Sequence, residues 1–589
     1  MKKVILSYFC AAFMISMSAC NTFNPINDPI TYGDGYMDVQ LNTDKARYIP
    51  GEAVNITLNK PVDGAENVMI RYRHLGETIK EEPFSNCSWT WQPPTEDYKG
   101  YLIDLYSIVD GKEVIHGSIA VDVSSDVARF PRNGFLSAYG KMSDSEIEAI
   151  MSDLNRHHIN YVQYQDWHYK HHKPLAGTPS SPMSVWTDII NRDCYLSTVK
   201  GYIETSHKYG MKSLFYNLAY GALDDAAEDG VKEEWYLFKD KNHASKDYHA
   251  LGSPFKSSIY LVNPANEEWI DYISSQNDDV YAVFDFDGYQ IDQLGWRGDL
   301  YDYYGNIVYL DQTFKHFIEK MKEAQPSKSL VMNAVGQYGQ EWQISKAPVD
   351  FLYTEVWDHN NENGFTIFSN IITNNDNWSS GKETVLAAYL NYELGRKGRG
   401  YFNTPGILMG SAAAFAWGGS ILQLGEHMLC NEYFPNNNLS MKGELKTALV
   451  HYYDFLTAYE NLLREDGEWY GVDITSEDNQ CTFNQWPPQK QQIATVGKRF
   501  ANKDVIHLLS YRNATHLDWC DTEGNQGEPD LLENLAISFN VKAEPKAVWI
   551  ATPDNQDCVA IHLDYQYENG KINCTIPSLK YWSMIVVEY

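Results

Sequence analysis

Phe284-Asp285-Phe286-Asp287-Gly288-Tyr289-Gln290-Ile291-Asp292-Gln293-Leu294-Gly295 is an apolar, strand-like run that carries carboxylates into a glycine-flanked loop. Phe351-Leu352-Tyr353-Thr354-Glu355-Val356-Trp357-Asp358 repeats the pattern, with Glu355 standing 63 residues beyond Asp292. In a (β/α)8 barrel about 250 residues are shared by eight units, so one strand-plus-helix unit takes roughly 30. The spacing therefore predicts Asp292 and Glu355 on alternate strands at the rim where the strands end, the face on which barrel enzymes work. Two carboxyl groups about 5–5.5 Å apart are what a retaining glycosidase needs, one to attack the anomeric carbon and one to protonate the leaving oxygen. A strand can also end in an Asp that only caps its loop. Asp287 competes with Asp292 for the nucleophilic role, but on a strand the two face opposite sides, and Asp292 lies nearer the loop. Asp285 and Asp287 are expected to be buried and paired with neighbouring groups.

The flanking sequence supports the barrel. Beyond Pro131, Phe135–Tyr139 reads as a short strand, and Ser143-Asp144-Ser145-Glu146 forms a capping box ahead of Ile147, Ile150, Met151 and Leu154 on one helical face. Strand candidates recur at Tyr161–Tyr164, Ser213–Tyr216, Tyr281–Phe286, Leu330–Met332, Asp350–Tyr353, Val385–Ala388 and Ser420–Leu422, and Phe314, Phe317, Ile318 and Met321 mark a further amphipathic helix. Eight strands alternating with helices favour a (β/α)8 barrel over an open doubly wound sheet. Residues 36–128 alternate apolar and polar with turns at Pro50-Gly51 and Asp110-Gly111, predicting an immunoglobulin-like β-sandwich. The barrel is expected over 129–488, and short strands over 489–589 predict a second, C-terminal β-sandwich.

The N-terminus sets the compartment. Lys2 and Lys3 precede the apolar run Val4–Ser16, too short to span a bilayer, and Met17-Ser18-Ala19-Cys20 reads as a lipoprotein signal box. Residues 1–20 are thus expected to be a signal peptide ending at a lipidated Cys20, with 21–35 as a polar tether. A secretory signal cut nearby is the simpler alternative. A formal charge of −31 excludes the basic footprint that nucleic acid requires and disfavours an anionic polysaccharide. The 16 Trp and 42 Tyr offer flat faces with polar tips, suited to neutral sugar rings as well as to cores. Beyond Cys20, seven cysteines lie scattered without metal spacing; mostly free thiols are expected, with a bridge among Cys520, Cys558 and Cys574 open. His168, His171 and His172 lie close in sequence, but no acid stands at ligand spacing beside them, so they read as loop residues and no metal or cofactor is expected.

The blocks YGKMSDSEIEAIMSDLNRHHINYVQYQDWHYKHHKPL, FDFDGYQIDQLG, VMNAVGQYG and FLYTEVWD, in this order and spacing, resemble glycoside hydrolase family 66, the endo-dextranases and cycloisomaltooligosaccharide glucanotransferases. By position, the resemblance makes Asp292 the nucleophile and Glu355 the acid/base. It implies cleavage of α-1,6-linked glucan, with dextran and isomaltooligosaccharides as partners. Cyclising members typically carry a carbohydrate-binding module in the later half of the barrel; the segments here are about 30 residues long and leave no room for one, which favours hydrolysis. The alternatives are the transglycosylating transferase and a non-catalytic glycan-binding lipoprotein. Substrate contacts are expected at the strand ends from Asp166, Asn217, Asn333, Asn391 and Glu426, with Trp167, Tyr216, Trp296 and Trp357 placed to stack on glucosyl rings.

The lipobox predicts a bacterial cell-envelope protein held to an outer membrane only by its N-terminal lipid. Acyl chains contribute about 0.8 kcal/mol per buried CH2. The full-length protein should fractionate with membranes, and Cys20→Ala should release it to the soluble fraction with activity intact. Retention of Cys20→Ala on salt-washed membranes would rule out the anchor.

Overall fold

The computed structural model describes residues 39–62, 64–358, 362–555 and 557–589. The expected leader, tether and Cys20 lie outside them. The centre is a parallel sheet of eight strands in chain order: β1 (Asn133–Leu136), β2 (Tyr161–Tyr164), β3 (Lys212–Leu218), β4 (Gly288–Asp292), β5 (Ser329–Val335), β6 (Leu352–Glu355), β7 (Thr384–Ala387) and β8 (Ser420–Ile421). The ring is drawn together beyond β8, where Phe135 bridges Gly425 and donates its N–H to Leu424 O at 3.0 Å. This is the TIM-barrel arrangement.

Around it run α1 (Asp144–Arg156), α2 (Leu196–Lys208), α3 (Glu267–Val283), α4 (Phe314–Ala324), α5 (Thr366–Ser379), α6 (Tyr392–Lys397), α7 (Thr404–Ala416) and α8 (Gly443–Ala458). The capping box forms as read: Ser143 accepts from Glu146 N–H while Glu146 reaches back, and Ile147, Met151 and Leu154 are buried. Such a cap stabilises a helix by about 1 kcal/mol. Between β5 and β6 only a 3-10 turn, Ile344–Lys346, replaces a helix. That link holds two glycines at positive φ and Pro348, which leaves no uninterrupted helical stretch. Among the described residues no helix is long and apolar enough to cross a membrane.

The fourth strand is displaced from its expected place. Tyr281 belongs to α3, whose Asn266 cap and buried Trp269, Ile270, Ile273 and Val280 have helical spacing. The strand begins at Gly288, where an added Cβ would lie 2.2 Å from Ser329 O; only glycine lets the neighbouring backbone come so close. Asp285 and Asp287 therefore sit at the opposite, N-terminal end of the strand. Contrary to expectation they are not buried: Asp285 is exposed, and Asp287 is half-buried, accepting from Ser213 N–H at 2.7 Å and lying 2.9 Å from His207 Nε2.

Residues 41–123 form a three-stranded and a four-stranded antiparallel sheet around one core, in which Leu41, Val54, Ile56 and Trp91 meet Ile70, Tyr72, Ile103, Ile119 and Val121. After the barrel, a seven-stranded and a four-stranded sheet share a core that includes Ile506, Leu508, Ile537, Phe539, Ile576 and Ile585. Glu468–Tyr470, Ile474–Ser476 and Phe483–Gln485 already pair within these sheets, so the boundary expected at 488/489 moves back to the turn after Leu463. All seven cysteines in the described residues are free thiols.

The three parts meet beneath the barrel in a buried ion network. Arg132, fully buried just ahead of β1, donates to Asp122 Oδ2 at 2.6 Å and Glu460 Oε2 at 3.2 Å, and to the His158 carbonyl at 2.6 Å. Arg464 pairs with Glu383 at 2.9 Å, and Lys498 of the C-terminal sheets donates to Leu463 O at 3.1 Å. Removing one partner of a buried pair strands the others without solvent. Arg132→Met should lower stability by about 3–5 kcal/mol in urea unfolding. A loss under about 1 kcal/mol would show that the network is not needed to join the parts.

Candidate active site

Strand alternation decides what faces the barrel interior. Tyr289, Ile291, Met332, Leu352 and Leu386 pack outward against the helices, whereas Val331, Tyr353, Val385, Ala387 and Tyr389 share an inner cluster. Asp292, Asn333 and Glu355 belong to the inner set. Register places Asp292 level with Leu218 on β3, and Glu355 level with Val335 on β5. The two carboxylates thus end alternate strands, with β5 between them.

Asn333, on that intervening strand, joins the pair. Its Nδ2 donates to Asp292 Oδ1 at 2.8 Å and to Glu355 Oε2 at 3.1 Å, so these two oxygens lie within about 6 Å of each other. Tyr216 donates its hydroxyl to Asp292 Oδ2 at 2.7 Å, and Tyr389 donates to Glu355 Oε1 at 2.6 Å. The Trp357 indole also bonds to Glu355 and packs against Tyr389 and Tyr392. Among the described residues neither carboxylate has a cationic partner within ion-pair distance. Burial, then the nearby Asp292 charge, pushes Glu355 up to about 7. Burial also raises Asp292, but bonds from Asn333, Tyr216 and the Gln293 N–H oppose the rise because they favour the anion.

Asp166 follows β2 at a φ of 52°. Burial raises it to about 7, with Asp188 and Asp292 adding to the rise and Arg192 opposing it. Gln165 donates to Asp166 at 3.3 Å and accepts from Gln163 at 2.6 Å, extending the polar layer around the rim. Glu426 Oε1 accepts from Ser137 N–H at 2.8 Å, tying the ring where β8 returns to β1.

Three expected sugar contacts are taken up otherwise. Trp167 is fully buried among Trp186, Phe215, Phe284 and Phe286, beyond the end of β2, where the left-handed backbone at Asp166 breaks the strand alternation and turns the indole into the helix layer. Asn217, out of phase with Tyr216, is buried and anchors the loop through the His171 carbonyl and Leu218 N–H. Asn391 spends its amide on Asp521 and on Asn403 N–H. Tyr389, by contrast, has the parity of Val385 and Ala387, and that phase was the signal by which sequence reading would have found it.

The histidine loop also differs from expectation in one respect, since acids from another loop do reach it. One ligand atom each from His172, Asp225 and Asp229 fall within 4.8 Å of one another. Lys170 Nζ already lies 2.6 Å from Asp225 and 2.7 Å from Asp229, and Lys173 2.7 Å from Asp229, so ammonium groups supply the cationic charge there. His168 and His171 pair at 2.9 Å behind Tyr216, and burial pulls both down, leaving them neutral.

The exposed aromatic side chains of the described residues are Tyr248, Trp296, Tyr304, Tyr309, Trp342 and Tyr401, and all stand on loops that leave the C-terminal ends of barrel strands. Arg297 links two of these loops: it pairs with Asp247 at 2.8 Å and donates to Tyr248 O at 2.8 Å, tying the loop that carries Trp296 to the one that carries Tyr248.

A TIM barrel with two facing carboxylates and an aromatic rim is the architecture of a glycoside hydrolase-type enzyme. The chain belongs to glycosyl hydrolase family 66, whose model matches residues 43–586. It is 23% identical over 753 aligned positions to a cycloisomaltooligosaccharide glucanotransferase of Niallia circulans, covering 100% of this chain and 75% of the relative. A dextranase of Streptococcus salivarius is 22% identical over 579 positions, covering 83% and 67%. The crystal structure of a Paenibacillus cycloisomaltooligosaccharide glucanotransferase complexed with cycloisomaltoheptaose superposes with a TM-score of 0.83 at 24% identity, over 93% of this chain and all of that one.

Proposed function

We propose that the protein is a retaining endo-hydrolase of α-1,6-glucan, acting on dextran and releasing isomaltooligosaccharides. The observation that carries this reading is the Asn333 amide bonded to both Asp292 and Glu355, since one donor shared by both keeps the bonded oxygens within about 6 Å, a bound compatible with the roughly 5–5.5 Å of double displacement. Asp292, its anion favoured by three hydrogen bonds, attacks the anomeric carbon. Glu355, protonated near neutrality, gives its proton to the leaving glycosidic oxygen, then takes one from the water that resolves the glycosyl-enzyme. We assign Asp166, buried just beyond β2, to sugar hydroxyls. Dextranase and cyclising relatives both match, so hydrolysis rather than cyclisation rests on a further point. The match to the Niallia transferase runs to 753 positions against 589 residues here, so more than 150 aligned positions have no counterpart in this chain. We read the flanking two-sheet parts as an immunoglobulin-like and a C-terminal β-sandwich, and the whole as anchored to the cell envelope through Cys20.

Asp292→Asn should abolish dextran cleavage, and Glu355→Gln should lower kcat by about 10²–10⁴-fold, both with unchanged folding. Azide should restore turnover of an activated aryl substrate by Glu355→Ala alone. In the wild type, kcat/KM should decline as pH rises past about 7, because the acid must carry its proton. Near-normal hydrolysis by Asp292→Asn would overturn the nucleophile.

An open aromatic rim fits internal cleavage of a long neutral chain. Dextran viscosity should collapse well before reducing ends accumulate. Trp296→Ala should raise KM for long dextran about fivefold, the equivalent of ~1 kcal/mol, and leave short isomaltooligosaccharides little changed. Release of glucose alone from the earliest time points would indicate an exo-acting pocket.

A further inference from the structure

A loop of the C-terminal part, lying between its strands Lys503–Ser510 and Leu532–Asn540, leaves its own sheets and packs against the rim at the end of β7. There it holds most of the backbone that carries Tyr389. The Cys520 thiol donates to Tyr389 O at 2.9 Å, and Asn391 N–H donates to Cys520 O at 2.7 Å. Asn391, at a left-handed φ of 59°, donates from Nδ2 to Asp521 O at 2.8 Å and to Asp521 Oδ2 at 3.2 Å. Leu394 N–H reaches Thr522 O at 2.9 Å, and Glu393 N–H reaches Thr522 Oγ1 at 3.3 Å.

The loop is itself internally braced. Asp518 accepts from Cys520 N–H and Thr522 N–H, both at 3.1 Å, and buried Asp521 accepts from Asn525 N–H at 2.8 Å and Gln526 N–H at 3.1 Å. Trp519 packs edge-on against Phe368 of α5, with ring centroids 5.4 Å apart. Segment 389–394 is no part of a strand, and α6, which begins at Tyr392, is a short helix whose cap residue Asn391 makes no side-chain bond to it. Its placement is therefore set from outside the barrel.

We propose that the Asp518–Thr522 loop of the C-terminal part is a positioning element for Tyr389, and through the Tyr389 hydroxyl sets the orientation and proton affinity of Glu355. The C-terminal part then belongs to the catalytic apparatus, acting through Tyr389. The inference rests on Glu355 being the acid. A hydroxyl donated to a carboxylate favours its anion, so loss of the Tyr389 contact raises the proton affinity of Glu355 and carries the alkaline limb of the pH profile to higher pH.

Asp521→Asn keeps the side-chain volume and weakens the brace, and it tests the proposal in the full-length protein alongside Tyr389→Phe. Both variants should lower kcat on dextran by about tenfold with KM within twofold, and both should move the alkaline limb of kcat/KM upward. In the double variant the loss should not exceed that of Tyr389→Phe, because the two residues act through one contact. Thr522→Ala, a milder change at the same junction, should shift the limb in the same direction and serves if Asp521→Asn does not fold. A limb unmoved in folded Asp521→Asn or Thr522→Ala, or additive losses in the double variant, would overturn the positioning role. If the wild type cleaves no dextran, the functional reading itself fails; if it does and only the variants keep the wild-type profile, this inference fails alone.

Discussion

Bending eight parallel strands into a ring gives each strand one face toward the helices and one toward the axis, and this constraint governs the rest of the molecule. The alternation follows from the period of two in a strand, so one apolar residue facing out places its neighbours inward. Tyr289 and Ile291 settle on the helix layer and so turn Gln290 and Asp292 to the interior. Leu352 does the same for Tyr353 and Glu355, and Met332 for Asn333. The hydrophobic requirement of the outer layer thereby delivers two carboxylates and the amide between them to one mouth.

The two ends of the barrel treat buried charge in opposite ways. At the N-terminal end Arg132 is bonded to Asp122 and Glu460, and Arg464 to Glu383, so the cost of desolvation is offset by pairing. At the C-terminal end Asp292 and Glu355 receive only neutral hydrogen-bond donors: Tyr216, Asn333, Tyr389 and Trp357. Burial without a cation is what lifts Glu355 toward neutrality. A salt bridge there would steady the fold and abolish the acid, so stability is built at one end and reactivity is left at the other.

Much of the site was legible in the chain because it follows from spacing. The 63-residue interval between Asp292 and Glu355 measures two barrel units, and the two residues indeed end β4 and β6. The capping box before Ile147 is a local hydrogen-bond pattern that needs no tertiary partner. Strand phase was readable too, and applying it consistently separates Tyr216 from Asn217, whereas Asp166 and Trp167 lie beyond β2, where the left-handed backbone at Asp166 breaks the alternation. The start of β4 was misplaced because Tyr281–Phe286 is apolar enough for a strand, while the close backbone approach at Gly288 is a property of its neighbour β5.

The sequence by itself determined the barrel, its outward and inward faces, and the pair of carboxylates, since each depends on periodicity and on residues near in the chain. Only the tertiary structure decided which groups those carboxylates touch. Asn333 serves both because register sets β5 between β4 and β6, and Tyr389 is aimed at Glu355 across a loop clamped by Cys520, Asp521 and Thr522 from a part of the chain 130 positions away. Asp225 and Asp229 reach His172 in the same manner, from a different loop. Contacts of this kind are made by packing between distant segments, and no local pattern of residues encodes them.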